Sequence, residues 1–268
     1  MKFLGDYHTH TIYSRRPYIF YNHAKGTIEE NIIEAKNMGL KELAITDHGF
    51  SHKYFGCSRK NLKTTKEEIL RLSQKHNIKV YLGVEANFIS QDGTIDVIES
   101  DKEYLDIILC GFHRSAKPKT LSDKFKIFWS NMFAKFLGTS SKLKQKNTLM
   151  ILNAIEKNKI DIITHLNSKM KCDVVEVAKK AAEKGIYLEL NERHCDFSSE
   201  EIKGMLQTKV NFIVNSDSHK SKNIGKFSKV EKLIIENNIP EDRVANLNSL
   251  PKFANLKNKK TKDYKRKN

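Results

Sequence analysis

Short runs of β-branched and apolar residues alternate along the chain with longer stretches whose apolar positions recur at helical spacing. This alternation predicts βα units around a parallel sheet. The seven runs are Phe3 to His8, Glu42 to Asp47, Lys79 to Asn87, Ile107 to Phe112, Asp161 to Leu166, Ile186 to Asn191 and Val210 to Asp217. Between them, the stretch from Thr27 to Met38 ends at Gly39 and that from Asp173 to Lys184 at Gly185. Each glycine stands where a helix C-terminus favours a left-handed residue. No linker interrupts the alternation, so the expected fold is α/β, a distorted, TIM-like (β/α)7 barrel over residues 1–250.

Two stretches depart from this rhythm. From Arg114 to Asn147 the chain carries many lysines and one acid, Asp123, while Phe125, Phe128, Trp129, Phe133 and Phe136 recur at helical spacing. We read an insertion at about 114–147 holding an amphipathic helix. The first expectation is an ordinary barrel helix with its aromatic face buried; a lid over the mouth and a membrane-surface helix are the rivals. Residues 251–268 are almost all Lys, Arg and Asn from Lys252 onward, and are expected to be a disordered basic tail binding polyanions weakly at most.

Composition narrows the setting. With 39% hydrophobic and 30% charged residues the chain reads as a soluble globular protein, and no apolar run approaches the roughly 20 residues of a membrane span. No membrane partner is expected. The N-terminus reaches Asp6 too early for a signal-peptide core, and Cys57, Cys110, Cys172 and Cys195 show no close pairing, so a cytoplasmic, reducing location is expected. The net charge of +16 is compatible with nucleic acid, yet lysine is spread along the chain with Asn and Ile, as an AT-rich coding sequence produces. A nucleic-acid partner is therefore possible but not favoured, and the same positive field would steer small anions to a cleft.

The candidate chemistry lies where histidines and carboxylates fall relative to the runs. His8 and His10 flank Thr9 at the end of the first, so in extended chain both side chains leave on one face. Asp47-His48 ends the second run, Glu85 lies near the end of the third, His113 follows the fourth, His165 ends in the fifth, and Asp217-Ser218-His219 closes the seventh. In a parallel barrel these ends converge on the face that carries active sites. One histidine at a strand end is more simply a satisfied polar residue than a ligand. Here, however, six of the ten histidines sit there, and together without a cation they would carry uncompensated desolvation. His, Asp and Glu without thiolate suit zinc first, with iron or manganese as alternatives. Zinc takes about four ligands and the rim offers more, so more than one ion is implied. Ions roughly 3.5–4 Å apart suit hydrolysis of phosphate esters.

These motifs resemble the PHP family, the polymerase and histidinol phosphatase superfamily, from about Asp6 to Gly225. They are Asp6-Tyr7-His8-Thr9-His10-Thr11 with Ser14, Ile45-Thr46-Asp47-His48-Gly49, Gly83-Val84-Glu85, Gly111-Phe112-His113, Ile163-Thr164-His165, Glu189-Leu190-Asn191, and Ser216-Asp217-Ser218-His219 with Ile224-Gly225. The resemblance implies a distorted (β/α)7 barrel and, usually, three metals. Carried over, one ion falls on His8, His10, Glu85 and Asp217, a second on Glu85, His113 and His165, and a third on His23, His48 and His219. His23 enters because Arg15 to Asn22 read as an insertion ahead of the family's third histidine. Leu166 departs from the proline that relatives often carry there.

Substrate choice would fall to cations at the mouth: Arg114 first, which follows a ligand directly and can fork onto a phosphate, with Arg193, Lys117, Arg15 and Arg16 behind it. Asp217 and His219 are the candidates to shuttle a proton to the leaving oxygen, unless metal occupies both. The expected activity is metal-dependent hydrolysis of a phosphomonoester of a small metabolite, histidinol phosphate being the family's most specific pointer. A phosphodiesterase or exonuclease acting on nucleic acid, and a basic nucleic-acid-binding module with structural metals, are the alternatives.

Overall fold

Each of the seven runs forms a strand: β1 Gly5–Asp6, β2 Glu42–Ile45, β3 Lys79–Asn87, β4 Ile107–Gly111, β5 Ile162–Ile163, β6 Tyr187–Asn191 and β7 Phe212–Asn215. They pair in sequence order, all parallel, in the computed structural model of the protein, which describes residues 1–254 and 256. Around them lie α1 Ile28–Asn37, α2 Leu62–His76, α3 Leu121–Asp123, α4 Ser130–Leu137, α5 Ser141–Lys157, α6 Val174–Lys184, α7 Ser199–Leu206 and α8 Ser228–Glu236. The helix ends follow the sequence signals. Thr27 and Glu30 form a capping box at the start of α1, Asp173 caps α6, and Gly39 and Gly185 take φ of +75° and +68°.

The ring closes in two ways. Beyond the strand ends, Thr9 pairs with Ser218: His10 N–H donates to the Ser218 carbonyl at 2.9 Å and Ser218 N–H to that of His8 at 3.2 Å. At the opposite end the gap between β7 and β1 is filled by 244–247. The Asn246 amide donates to the carbonyls of Gly5 (2.8 Å) and Val214 (2.7 Å), and its oxygen accepts from Val214 N–H (3.0 Å). One buried side chain thus does the hydrogen bonding of an absent strand. Asn246→Ala would leave three buried backbone groups without partners and is expected to cost about 3 kcal/mol, read as a lower urea midpoint at unchanged slope.

Inside the barrel, Tyr7, Ala44, Tyr81, Ile107, Leu109, Ile162 and Ile213 pack together with Phe253. Phe253 is 2% exposed and meets the rings of Tyr7, Tyr81 and Tyr187 at 5.0, 6.1 and 5.9 Å. The expected tail therefore begins with a buried plug; residues 255 and 257–268, on which the rest of that expectation falls, lie outside the described residues. Phe253 packs at the strand starts that carry Tyr81 and Tyr187, and the buried histidines lie at the C-terminal end.

The aromatic segment is helical as expected, but its face is not buried. Leu121–Asp123, a π-type turn over Lys124–Trp129, and Ser130–Leu137 run on as one helix. Ile127, Phe128 and Asn131 face inward, Phe128 against Phe112 at 5.5 Å, whereas Phe125, Trp129, Phe133 and Phe136 are exposed. The reason is occupancy: α5, with Met150, Ile151, Ala154 and Ile155 buried, already fills the barrel-helix position between β4 and β5.

Candidate metal centre

Nine of the ten histidines, all but His76, stand at the C-terminal mouth, and Glu85 is their hub. Its Oε1 lies 2.7 Å from His165 Nε2, 3.2 Å from His113 Nε2 and 3.3 Å from His8 Nε2; its Oε2 lies 2.8 Å from His48 Nδ1 and 3.7 Å from His10 Nε2. Asp217 Oδ1 is the second focus, 3.3 Å from His10 Nε2, 3.5 Å from His219 Nδ1 and 3.8 Å from His8 Nε2. Among the described residues three triads bring donor atoms within 4.8 Å of one another: His8, His10 and Asp217; His48, Glu85 and His113; His10, His48 and His219. His165 touches the hub outside these triads. The His23 ring lies 4.3 Å from that of His219 and 5.6 Å from that of His48, so the loop after β1 does return this histidine to the mouth. The triads differ from the sets the resemblance implies, because His48 faces Glu85 and His10 reaches the His48 and His219 side.

The local backbone explains the convergence. His165 and Asp217 have φ of +30° and +49°, a region non-glycine residues rarely adopt, and such strain concentrates at functional sites. These turns follow β5 and β7 and bring His165 to Glu85 and Asp217 to His8 and His10. At Gly111 a Cβ would stand 2.6 Å from His165 Cε1, so glycine there leaves room for the imidazole. Asp47 is no hub: its carboxylate accepts from Thr11 N–H (2.6 Å) and Oγ1–H (2.7 Å), tying the β1 loop to β2, and burial raises its pKa to about 6.

A divalent cation fits these donors. His8 Nε2, both ring nitrogens of His10 and of His48, Glu85 Oε2 and His219 Nε2 are buried without a hydrogen-bond partner. His48 Nδ1 and Glu85 Oε2 approach to 2.8 Å without hydrogen-bond geometry, as two lone pairs do when aimed at one ion. Protonation is not the remedy for most of them. Burial pushes His10 and His113 down to about 3 and His23 to about 4, so these rings are neutral, the form that binds metal. Burial opposes ionisation of Glu85 and Asp217, yet facing imidazoles outweigh it and hold both well below the carboxylate range. For His8 burial is likewise outweighed, by Glu189, Glu85 and Asp217, which raise it.

Glu189, His194, His52 and Lys169 belong to the site without being singled out by the strand-end pattern. Glu189 Oε1 accepts from His8 Nδ1–H at 2.7 Å, orienting Nε2 toward the hub, and Oε2 accepts from His165 N–H at 2.8 Å. Such carboxylate–histidine pairs hold a ligand's tautomer, and Glu189→Gln is expected to weaken metal affinity by about 10–100-fold, read by competition with a metal-chelating dye. Side-chain alternation along β6, with Tyr187 and Asn191 on the same face, is the signal that finds Glu189. His52 stacks on His48 at 4.9 Å, and His194 Nε2 lies 3.9 Å from Asp217 Oδ2. Both sit in loops where no period applies.

The expected substrate cations divide. Arg193 reaches the centre, its Nη1 2.6 Å from His219 Nδ1 and 3.3 Å from the Asp217 carbonyl. Arg114 is exposed and lines a cleft of about 350 Å³ with Lys135, Lys169 and Lys171 and no carboxylate. Lys169 lines this cleft and also a small pocket shared with His165. Lys117 is exposed and does not line the cleft, Arg15 is exposed, and Arg16 donates to the carbonyls of His52 and Phe50.

The PHP domain family matches residues 6–193. The chain is 30% identical, over 285 residues and the full length of both chains, to a probable phosphatase of Acetivibrio thermocellus. It is 31% identical over 280 residues to one of Thermoanaerobacter sp., covering 98% of each. Among solved structures, histidinol phosphate phosphatase from Lactococcus lactis, complexed with zinc, L-histidinol and phosphate, shares the fold with a TM-score of 0.60 at 16% identity, over 94% of this chain and 97% of that one. A chain of archaeal ribonuclease P shares it with a TM-score of 0.51 at 14% identity, over 97% and 90%.

Proposed function

Since the chain belongs to the PHP family, we propose that it is a metal-dependent phosphatase hydrolysing the phosphomonoester of a small metabolite of the histidinol-phosphate kind. The observation that carries this reading is the set of buried imidazole and carboxylate atoms without hydrogen-bond partners around Glu85 and Asp217. His8, His10, His23, His48, Glu85, His113, His165, Asp217 and His219 would hold two or three divalent ions, zinc first among them. Bound there, the ions would lower the pKa of a water and polarise the phosphoryl oxygens. A binding module with purely structural metals fits less well, since such sites close their coordination with about four ligands each.

Arg193 supplies the phosphate clamp. Its contact with His219 Nδ1 requires that nitrogen to accept, whereas the 3.0 Å contact of the same nitrogen with the Asp217 carbonyl requires it to donate. When His219 Nε2 serves as a ligand, the proton sits on Nδ1 and goes to the Asp217 carbonyl. The guanidinium then loses its ring partner and is free to fork onto the substrate phosphate. Arg114 and Lys169 flank the remainder of the substrate in the cleft. Asp217 and His219 act as ligands in this scheme, and the leaving oxygen takes its proton from solvent at the mouth.

Arg193→Ala is expected to lower kcat/KM by about 10²-fold, the loss of roughly 3 kcal/mol of charge-assisted hydrogen bonding, while metal content stays unchanged. The activity is tested on a panel holding histidinol phosphate, other metabolite monoesters, a chromogenic monoester and single-stranded DNA. Hydrolysis of monoesters is the expected result; degradation of DNA with every monoester untouched would favour the exonuclease reading instead.

A further inference from the structure

The helical segment over 121–137 exposes an apolar face that neither fold nor metal centre uses. Phe125 is 63% exposed, Phe133 50% and Phe136 77%, with Trp129 between them. The rings form a ladder, Phe125 to Trp129 at 6.4 Å and Trp129 to Phe133 at 5.6 Å. Burial of Ile127, Phe128 and Asn131 fixes which side of the helix faces the barrel, so the ladder faces away from it. A contiguous exposed patch of this kind marks an interaction surface.

Charge says what the surface meets. Lys124 and Lys126 are exposed on the same helix, and Lys142, Lys144 and Lys146 on the first turns of α5 that follow it. Among the described residues none of the five is in an ion pair. The one acid of the segment, Asp123, is turned inward and accepts from Ser90 Oγ–H, Gln91 N–H and Thr120 Oγ1–H. Aromatic rings on one face with lysines beside them and no exposed acid match an anionic lipid–water interface.

A second segment points the same way. Phe20, at 97% the most exposed large apolar side chain among the described residues, lies with exposed Tyr18 and Tyr21 in the connection between β1 and α1. The connection holding Phe20 leaves the C-terminal end of β1, and the last turns of the 121–137 helix line the cleft with Arg114, the residue after His113, so both reach the end of the molecule that carries the metal centre. We propose that this end docks peripherally on an anionic bilayer surface, the aromatic ladder and Phe20 entering the interface and the lysines facing the headgroups.

Trp129 is the chain's single tryptophan, so its emission reports docking without a label. Full-length protein is mixed with vesicles of equimolar phosphatidylglycerol and phosphatidylcholine, or of phosphatidylcholine alone. The expected result is a blue shift and co-sedimentation with the anionic vesicles, at least tenfold weaker with phosphatidylcholine and weakened by salt. The double variant Phe133→Ser/Phe136→Ser should lose at least tenfold in binding while hydrolysing a soluble monoester at the parent rate, which shows that it has folded. Equal binding by parent and variant, or no response to anionic vesicles, would overturn the proposal. So would a concentration-dependent dimer that the same variant abolishes, because the face would then belong to a second copy.

Discussion

Replacing Glu85 with Gln is expected to lower phosphomonoester turnover by about 10³-fold, since a ligand that organises metal supplies several kcal/mol of transition-state stabilisation at about 1.4 kcal/mol per decade. The substitution keeps shape and volume, so packing is not what it tests. Five imidazole nitrogens point at the two carboxylate oxygens within 3.7 Å. An amide offers one oxygen and turns an NH2 group toward the others, so it would neither present two oxygens to cations nor neutralise them. Metal content measured by elemental analysis should fall together with turnover, while far-UV circular dichroism stays unchanged. Parent-like turnover in this variant would remove Glu85 from the chemistry.

Removing metal is expected to cost stability as well as activity. Seven of the nine proposed ligands are buried, and seven donor atoms among His8, His10, His48, Glu85 and His219 have no protein partner to offset their desolvation. A cation at 1,000 times its dissociation constant stabilises by about 4 kcal/mol, and the thermal midpoint of a domain this size moves by roughly 2–4 °C per kcal/mol. Dialysis against a chelator should therefore lower the midpoint by about 10 °C, and returning zinc, manganese or iron should restore it. An unchanged midpoint after proven loss of metal would show that the mouth is held together without ions.

The fold and much of the centre are legible in the sequence because one rule covers both. In a parallel barrel the strand runs and the residues that end them share an address, so locating Lys79–Asn87 also locates Glu85, and finding 212–215 leads to Asp217. Where the rule lapses, legibility lapses too. His52 and His194 reach the mouth from loops, and Asn246 takes the place of a strand with a side chain, an arrangement with no local period. Phe253 stands in a basic stretch with no apolar period, and only the tyrosines across the barrel reveal its role as a plug. The aromatic spacing of 125–136 shows that a helix has an apolar face; it carries no information on whether α5 has already taken the place against the barrel.

The most direct test is a titration of zinc into metal-free protein with bound metal and monoester hydrolysis measured in the same sample. Hydrolysis is expected to be absent without metal, to rise with occupancy and to level off at two or three ions per chain. Full turnover in protein shown to be free of metal would contradict the assignment of the His, Glu and Asp cluster as the catalytic metal centre.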